Sequence, residues 1–288
     1  MGTSLFSRGT AVEAVGVGRY VADLGDHWNC PIVPQGGIVA ATAARAMEAA
    51  LGEPAQQLRS LNGVFAGRVA HGPIEIAVDV LRRGRSMSQL RVSLRNPGAD
   101  AGFDALAVFG SEREGFSFTD ARVPEGIAPA LECPSYRDPP PDDFQFDHEP
   151  FPFWFHVEGR PCVGHPPWED YEPESSLRAQ WYRFDDPPRA DDGTWDPYAL
   201  VALCDTMPGA VGERLGPAGQ KRNWLPPSAD FTVHVLDRAR CDWVLAVNRA
   251  RHAGDGYASV DMELWDADGG SPRLVAYATQ TMVFSFVK

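Results

Sequence analysis

The stretch "CPIVPQGGIVAATAARAMEAAL", Cys30 to Leu51, decides the reading of the fold. A proline-punctuated loop runs into Gly36 and Gly37, and the residues from Ile38 to Leu51 have helical character with only Arg45 and Glu48 as charges. A helix this dry has no wet face to present to solvent. It must be wrapped, because a single sheet face covers only one stripe of it. Ala40, Ala41, Ala43, Ala44, Ala46, Ala49 and Ala50 let strands approach its backbone closely.

Strand patterns follow in four segments, "QQLRSLNGVFAGRVA", "GPIEIAVDVLRR", "RSMSQLRVSLRN" and "AGFDALAVFGSER". Ile74, Ile76, Val78 and Val80 alternate with Glu75, Ala77, Asp79 and Leu81; Leu90, Val92 and Leu94 alternate with Arg91, Ser93 and Arg95. Short separations by Gly, His-Gly or Asn-Pro-Gly suit hairpins, so an antiparallel sheet is expected.

The pattern then repeats. After "SLRAQWYRF", a strand, "TWDPYALVALCDTMPGA" reads as a second helix with Asp196 as N-cap, Pro197 at the first position and Pro208 as the stop. Four further strand-like segments follow, "SADFTVHVL", "DWVLAVNRA", "YASVDMELWDADG" and "RLVAYATQTMVFSF". The chain is therefore expected to use one unit twice: a buried helix followed by four antiparallel strands, with a fifth strand before the helix. A curled antiparallel sheet around a central helix is the hot-dog arrangement, so the expected class is α+β, a double hot-dog. Its units span residues 1–132 and 176–288. Between them, 133–175 is rich in proline, acid and aromatics and shows no sustained period, which reads as a linker. Phe151, Phe153, Trp154, Phe155 and Trp168 imply that this linker packs on the surface.

A formal net charge of -13 argues against a nucleic-acid partner, since that affinity rests on Lys and Arg neutralising phosphates. Cys30, Cys133, Cys162, Cys204 and Cys241 are scattered and never form a C-x-x-C pair, which fits reduced thiols and a cytoplasmic location. The opening residues show no basic segment followed by an apolar run, so no export signal is expected, and no apolar run is long enough to span a membrane.

Six motifs in order carry a family resemblance: W-N-C-P-I-V-P-Q-G-G (Trp28–Gly37), V-L-R-R-G-R-S (Val80–Ser86), L-C-D-T-M-P (Leu203–Pro208), P-P-S-A-D-F-T-V-H (Pro226–His234), E-L-W-D-A-D-G (Glu263–Gly269) and A-Y-A-T-Q (Ala276–Gln280). Together they resemble the TesB-like acyl-CoA thioesterases over nearly the whole chain except the linker. The resemblance implies hydrolysis of an acyl-CoA or related acyl thioester by an activated water, with no cofactor. In that family an aspartate on the second central helix, a threonine or serine on the following strand and a glutamine on the last strand hold the water. These roles fall on Asp205, Ser228 and Gln280, with Thr232 as the other candidate hydroxyl.

The residues themselves admit two readings at each place. Asp205 ends the apolar run "YALVALCD": a buried carboxylate suits a general base, and one near a helix end also suits a cap. Gln280 shares a period-two face with Leu274, Ala276, Ala278, Met282, Phe284 and Phe286, so its amide needs partners, either the site or a bulged backbone. On its strand, Ser228 falls on the polar face with Asp230, Thr232 and His234, and Asp230 is a rival carboxylate there. Gly36 and Gly37, at a positive helix end, offer bare N–H groups to a carbonyl that becomes an oxyanion, or form a plain turn. Arg82, Arg83 and Arg85 suit coenzyme A phosphates or a solvated hairpin tip.

No G-x-S-x-G elbow, P-loop or G-x-G-x-x-G occurs, and the histidines His27, His71, His148, His156, His165, His234 and His252 show no metal-ligand spacing. Carrier-protein-bound natural-product thioesters and a non-catalytic acyl-binding role are the alternatives; a hydratase would lean on Asp26 and His27. Homo-oligomers are expected, because hot-dog sheet edges tend to pair unless the acidic linker covers one.

Overall fold

The computed structural model describes residues 4–144, 149–220 and 222–286; His148 and residues 145–147 of the expected linker lie outside the described residues. After a short helix α1 (Leu5–Gly9) come β1 (Glu13–Gly16) and β2 (Arg19–Leu24), the helix α2 (Gly36–Leu51), and then β3 (Gln57–Phe65), β4 (Gly72–Arg82), β5 (Met87–Arg95) and β6 (Phe103–Gly110). The second half has β7 (Val157–Val163), β8 (Arg178–Phe184), α3 (Pro197–Cys204), α4 (Pro208–Gln220), β9 (Trp224–Leu225), β10 (Asp230–Val235), β11 (Val244–Gly254), β12 (Tyr257–Asp266), β13 (Arg273–Val283) and β14 (Ser285–Phe286).

One antiparallel sheet runs β1-β2-β4-β5-β6-β3-β10-β13-β12-β11-β8-β7. Read inward from each end, both halves have the same connectivity: two strands before the helix and four after it, the first of those four swung to the centre. The fold is a double hot-dog. Its two halves join where β3 pairs with β10, with Leu61 opposite Val233 and Asn62 opposite Thr232. The edges that separate units would offer each other are thus paired within one chain.

Inward residues of the strands meet the helices. Ile76, Leu90, Val92, Phe103 and Phe109 are buried under α2, and Phe231, Val233, Ala276 and Ala278 under α3. Within α2, Gly37 to Ala44, Ala46, Met47 and Leu51 are buried; within α3, every residue from Tyr198 to Cys204 is. The two helices lie antiparallel. Arg45 of α2 pairs with Asp196 at the start of α3, and Gly37 of α2 meets Ala202 at its far end.

Four sequence expectations change. Val80 does not join the dry face of β4; it lies beyond the buried stretch and is exposed. Segment 133–175 is not strand-free: β7 lies inside it and pairs with β8, so each half has two strands before its helix rather than one. Its aromatics also penetrate further than surface packing would require, for Phe153 is fully buried against Trp28. Pro208 does not simply stop a helix. The helix of the sequence reading ends at Cys204, and Pro208 opens α4, which breaks at Gly216, where φ is 65°.

A second apolar cluster, including Ala130, Trp181, Trp243, Leu245 and Trp265, covers the outer face of the C-terminal half. This explains why consecutive residues Val244 to Asn248 are all buried: β11 is covered on both faces. All five cysteines are unpaired, and among the described residues no helix is long and apolar enough to cross a membrane.

Candidate active site

Asp205 follows the last residue of α3 and serves as its C-cap. A carboxylate is unfavourable there, against the negative end of the helix, but the neighbouring helix is antiparallel. The positive N-terminus of α2 therefore faces the same carboxylate. The Gly37 N–H donates to Asp205 Oδ2 at 3.0 Å, and the Gly36 N–H adds a further favourable interaction.

The other oxygen takes two side-chain donors. Gln280 Nε2 on β13 donates to Asp205 Oδ1 at 2.8 Å, and Ser228 Oγ donates to the same atom at 3.2 Å. Gln280 Nε2 also donates to Ser228 Oγ, closing a triangle of three side chains. The Gln280 amide is 3% exposed, and its Oε1 is buried with no hydrogen-bond partner among the described residues. Burial raises the Asp205 pKa to about 6 against the opposing pull of the Gly37 N–H, the Ser228 hydroxyl, the Gln280 amide and the Gly36 N–H. The nearby thiols, Cys30 and Cys204, are held neutral, chiefly by burial and secondarily by the Asp205 charge.

Both glycines are required by close approach. A Cβ on Gly36 would lie 2.8 Å from Asp205 Oδ2 and 2.8 Å from Phe65 Cζ; one on Gly37 would lie 2.6 Å from the Ala202 carbonyl oxygen. The first makes room for the carboxylate, the second for α3 itself. Their N–H groups, expected to be open to a substrate carbonyl, face Asp205 instead.

Ser228 reaches the site through a slip in register. It precedes β10 and forms an isolated bridge with Met282, whereas Thr232 pairs with Thr279; one extra residue has been accommodated between these points. A one-residue shift moves a side chain to the opposite face. Ser228 thus turns inward, away from the polar face it would share with Asp230 and Thr232 by strict alternation. Asp230 holds the irregularity in place, its Oδ1 accepting from the Thr281 N–H at 2.6 Å. Thr232 stays outside, its hydroxyl 3.2 Å from Asn62 Oδ1, and is not brought to Asp205.

Sequence reasoning missed Gln35. It caps α2, accepting from the Ile38 N–H at 3.0 Å through Oε1, while its Nε2 donates to the Ala202 carbonyl at 2.9 Å. One buried amide therefore fixes the start of α2 against the end of α3, where Asp205 sits. Glutamine is not a favoured capping residue, so only its place before the glycine pair marked it. Arg83, from the basic hairpin tip, caps carbonyls at the end of α2, including Ala50 O at 3.3 Å. No cluster of three His, Cys, Asp or Glu side chains able to hold a metal occurs among the described residues.

Comparison with known proteins agrees with this architecture. The model of the acyl-CoA thioesterase C-terminal domain matches residues 130–284, and that of the acyl-CoA thioesterase N-terminal domain matches 24–110. The chain belongs to the TesB-like acyl-CoA thioesterase family. Among solved structures, it resembles a hot-dog protein of unknown function from Alicyclobacillus acidocaldarius, at 26% identity and a TM-score of 0.78, over 100% of both chains. It also resembles the acyl-CoA thioesterase II TesB2 of Mycobacterium marinum, at 23% identity and a TM-score of 0.69, over 98% of this chain and 99% of that one. The tesB protein of Mycobacterium avium subs paratuberculosis gives 20% identity and a TM-score of 0.70 over 97% of each. At the last two identities the likeness speaks for the fold alone. Among curated proteins, none matches the sequence.

Proposed function

We propose that this member of the thioesterase family hydrolyses an acyl thioester, acyl-CoA in the first instance, by direct attack of water. The observation that carries the reading is the shared Asp205 Oδ1, which receives both the Gln280 amide and the Ser228 hydroxyl. Donors gathered on one oxygen of a carboxylate whose pKa lies at about 6 leave it ionised at neutral pH, yet basic enough to take a proton.

In this reading water lies beside Ser228 and Gln280, with Gln280 Oε1 accepting one of its protons. Asp205 removes the other as the water oxygen bonds to the thioester carbonyl carbon. Collapse of the tetrahedral intermediate breaks the C–S bond, and the proton on Asp205 passes to the departing thiolate. The products are a free acid and a free thiol. The N-terminus of α2 acts on the base rather than on the carbonyl, since its first N–H groups are engaged by Asp205.

The test is release of free thiol from a panel of acyl-CoAs of increasing chain length. Turnover of at least part of the panel by wild type, and its loss in Gln280→Leu, are expected. Bound acyl-CoA with no thiol released from any member would overturn the hydrolytic reading and leave a binding protein.

A further inference from the structure

The two halves of the sheet differ in what their inner faces carry. Beneath α2 the inward positions include Ile76, Val92, Leu94 and Phe103. Beneath α4 the inward positions of β8 are Arg178, Gln180 and Tyr182, all buried, and the residue of β11 opposite Arg178 is Asn248. A polar wall stands where the other half presents apolar side chains.

Most of this wall is internally bonded. Tyr182 bonds Thr206, the residue after Asp205, and Gln180 joins Tyr182 to Tyr136. Arg178 donates to the Tyr136 hydroxyl at 3.2 Å and to Glu213 of α4 at 3.2 Å. Asn248 is different. It is 0% exposed, and among the described residues neither its Oδ1 nor its Nδ2 has a hydrogen-bond partner. Burying an amide with both ends unpaired is unfavourable enough that such a residue points to a group still to be received.

Asn248 faces the same interior as Gln280. Val260 of β12 pairs with Gln280 on one side and Ala250 on the other, and Asn248 lies two residues before Ala250. With strands about 4.8 Å apart and about 3.3 Å per residue, its Cα is roughly 12 Å from that of Gln280. That is within reach of the far part of an acyl chain whose carbonyl sits at Asp205.

We propose that Asn248 is a specificity-determining residue that receives a hydroxyl carried well along the acyl chain, Nδ2 donating to the hydroxyl oxygen and Oδ1 accepting its proton. The proposal rests on the thioesterase reading and names its substrate class. A hydroxyl fits because it both accepts and donates. A carboxylate does not, since Oδ1 would repel it and the Arg178 charge is already met by Glu213. The opposite wall is α4, which packs on β8, β11 and β12 and is broken at Gly216.

The test compares kcat/KM for ω-hydroxydecanoyl-CoA and decanoyl-CoA in wild type and Asn248→Leu. Wild type is expected to favour the hydroxylated chain by about tenfold or more, as sites built to bond a hydroxyl do, and Asn248→Leu to reverse the preference. An unchanged ratio in the variant overturns the proposal. Should the leucine variant not fold, Asn248→Ala is read the same way. If neither ester is turned over, the hydrolytic reading has failed separately. Calorimetric binding of ω-hydroxydecanoic and decanoic acids to both proteins then decides the role of Asn248: preference for the hydroxy acid lost in the variant supports it, and equal binding in wild type refutes it.

Discussion

Gly37 and Asp205, separated by 168 positions in the sequence, meet at 3.0 Å where the N-terminus of one central helix faces the C-cap of the other. Each half of the double hot-dog supplies one side of this contact. The carboxylate belongs to the C-terminal half, and the positive helix end that steadies it belongs to the N-terminal half. The duplicated fold thereby joins at the site as well as along β3 and β10.

The two glycines are expected to respond differently to alanine. Alanine gains up to about 1 kcal/mol of helix propensity over glycine. At Gly37 the new Cβ would lie 2.7 Å from Ala202 Cα and 2.6 Å from its carbonyl oxygen, backbone that cannot turn aside. Gly37→Ala should therefore destabilise by about 3 kcal/mol or more, as overpacked cores do at their worst, visible as a lowered Tm. At Gly36 the obstruction is two side-chain ends, Asp205 Oδ2 and Phe65 Cζ. Gly36→Ala should keep most of the stability and lose most of the activity.

Acid should silence the enzyme with a midpoint set by Asp205. Burial raises this carboxyl to about 6, so log kcat/KM is expected to climb with pH up to about 6 and then level. The stability effect has the opposite sign. A carboxyl with a higher pKa folded than unfolded favours folding when protonated; its contribution is present below the unfolded value near 4 and is lost as pH rises through about 6. Melting curves should show wild type losing about 1–3 kcal/mol across that window relative to Asp205→Asn.

Asp230 lies outside the site and yet should matter to it. Its carboxylate accepts the Thr281 N–H at the register slip that turns Ser228 inward. Asp230→Ala should lower kcat by about tenfold or more by letting Ser228 swing away, with a stability loss of about 1–2 kcal/mol from the orphaned N–H. Asp230→Asn, which keeps an acceptor, should recover most of both, measured by thiol release and by melting.

Arg45 offers the contrasting case of a residue that holds the halves together without touching the reaction. Its guanidinium pairs with Asp196, bonds the Thr10 hydroxyl at 2.7 Å and lies over the Tyr198 ring. Arg45→Met should cost about 3 kcal/mol by stranding the Asp196 charge. The pH midpoint of kcat/KM should stay where it is in wild type.

What could be read in the sequence followed from burial. A helix of alanines with two charges demanded a wrapping sheet, and period-two alternation in β5 supplied the inner face. The resemblance added the three side chains that the structure brings together. The rest depends on geometry that alternation cannot encode. Ser228 lies on the wrong face by counting, because a one-residue slip separates it from β10. Strand β7 was hidden because a proline, Pro161, sits inside it, tolerated where the strand forms the edge of the sheet. The partners of the Gly36 and Gly37 N–H groups could not be foreseen, since the antiparallel crossing of α2 and α3 brings them to Asp205 rather than to a substrate. Gln35 was passed over for a similar reason: its two bonds become a bridge only once Ala202 stands opposite.

The measurement that bears most directly on the account is thiol release by Asp205→Asn, on the best acyl-CoA of the panel, in a preparation whose melting curve shows it folded. Losing the base should lower kcat by about a hundredfold to ten-thousandfold and abolish the rise of activity through pH 6. A folded Asp205→Asn enzyme releasing thiol at the wild-type rate would contradict it.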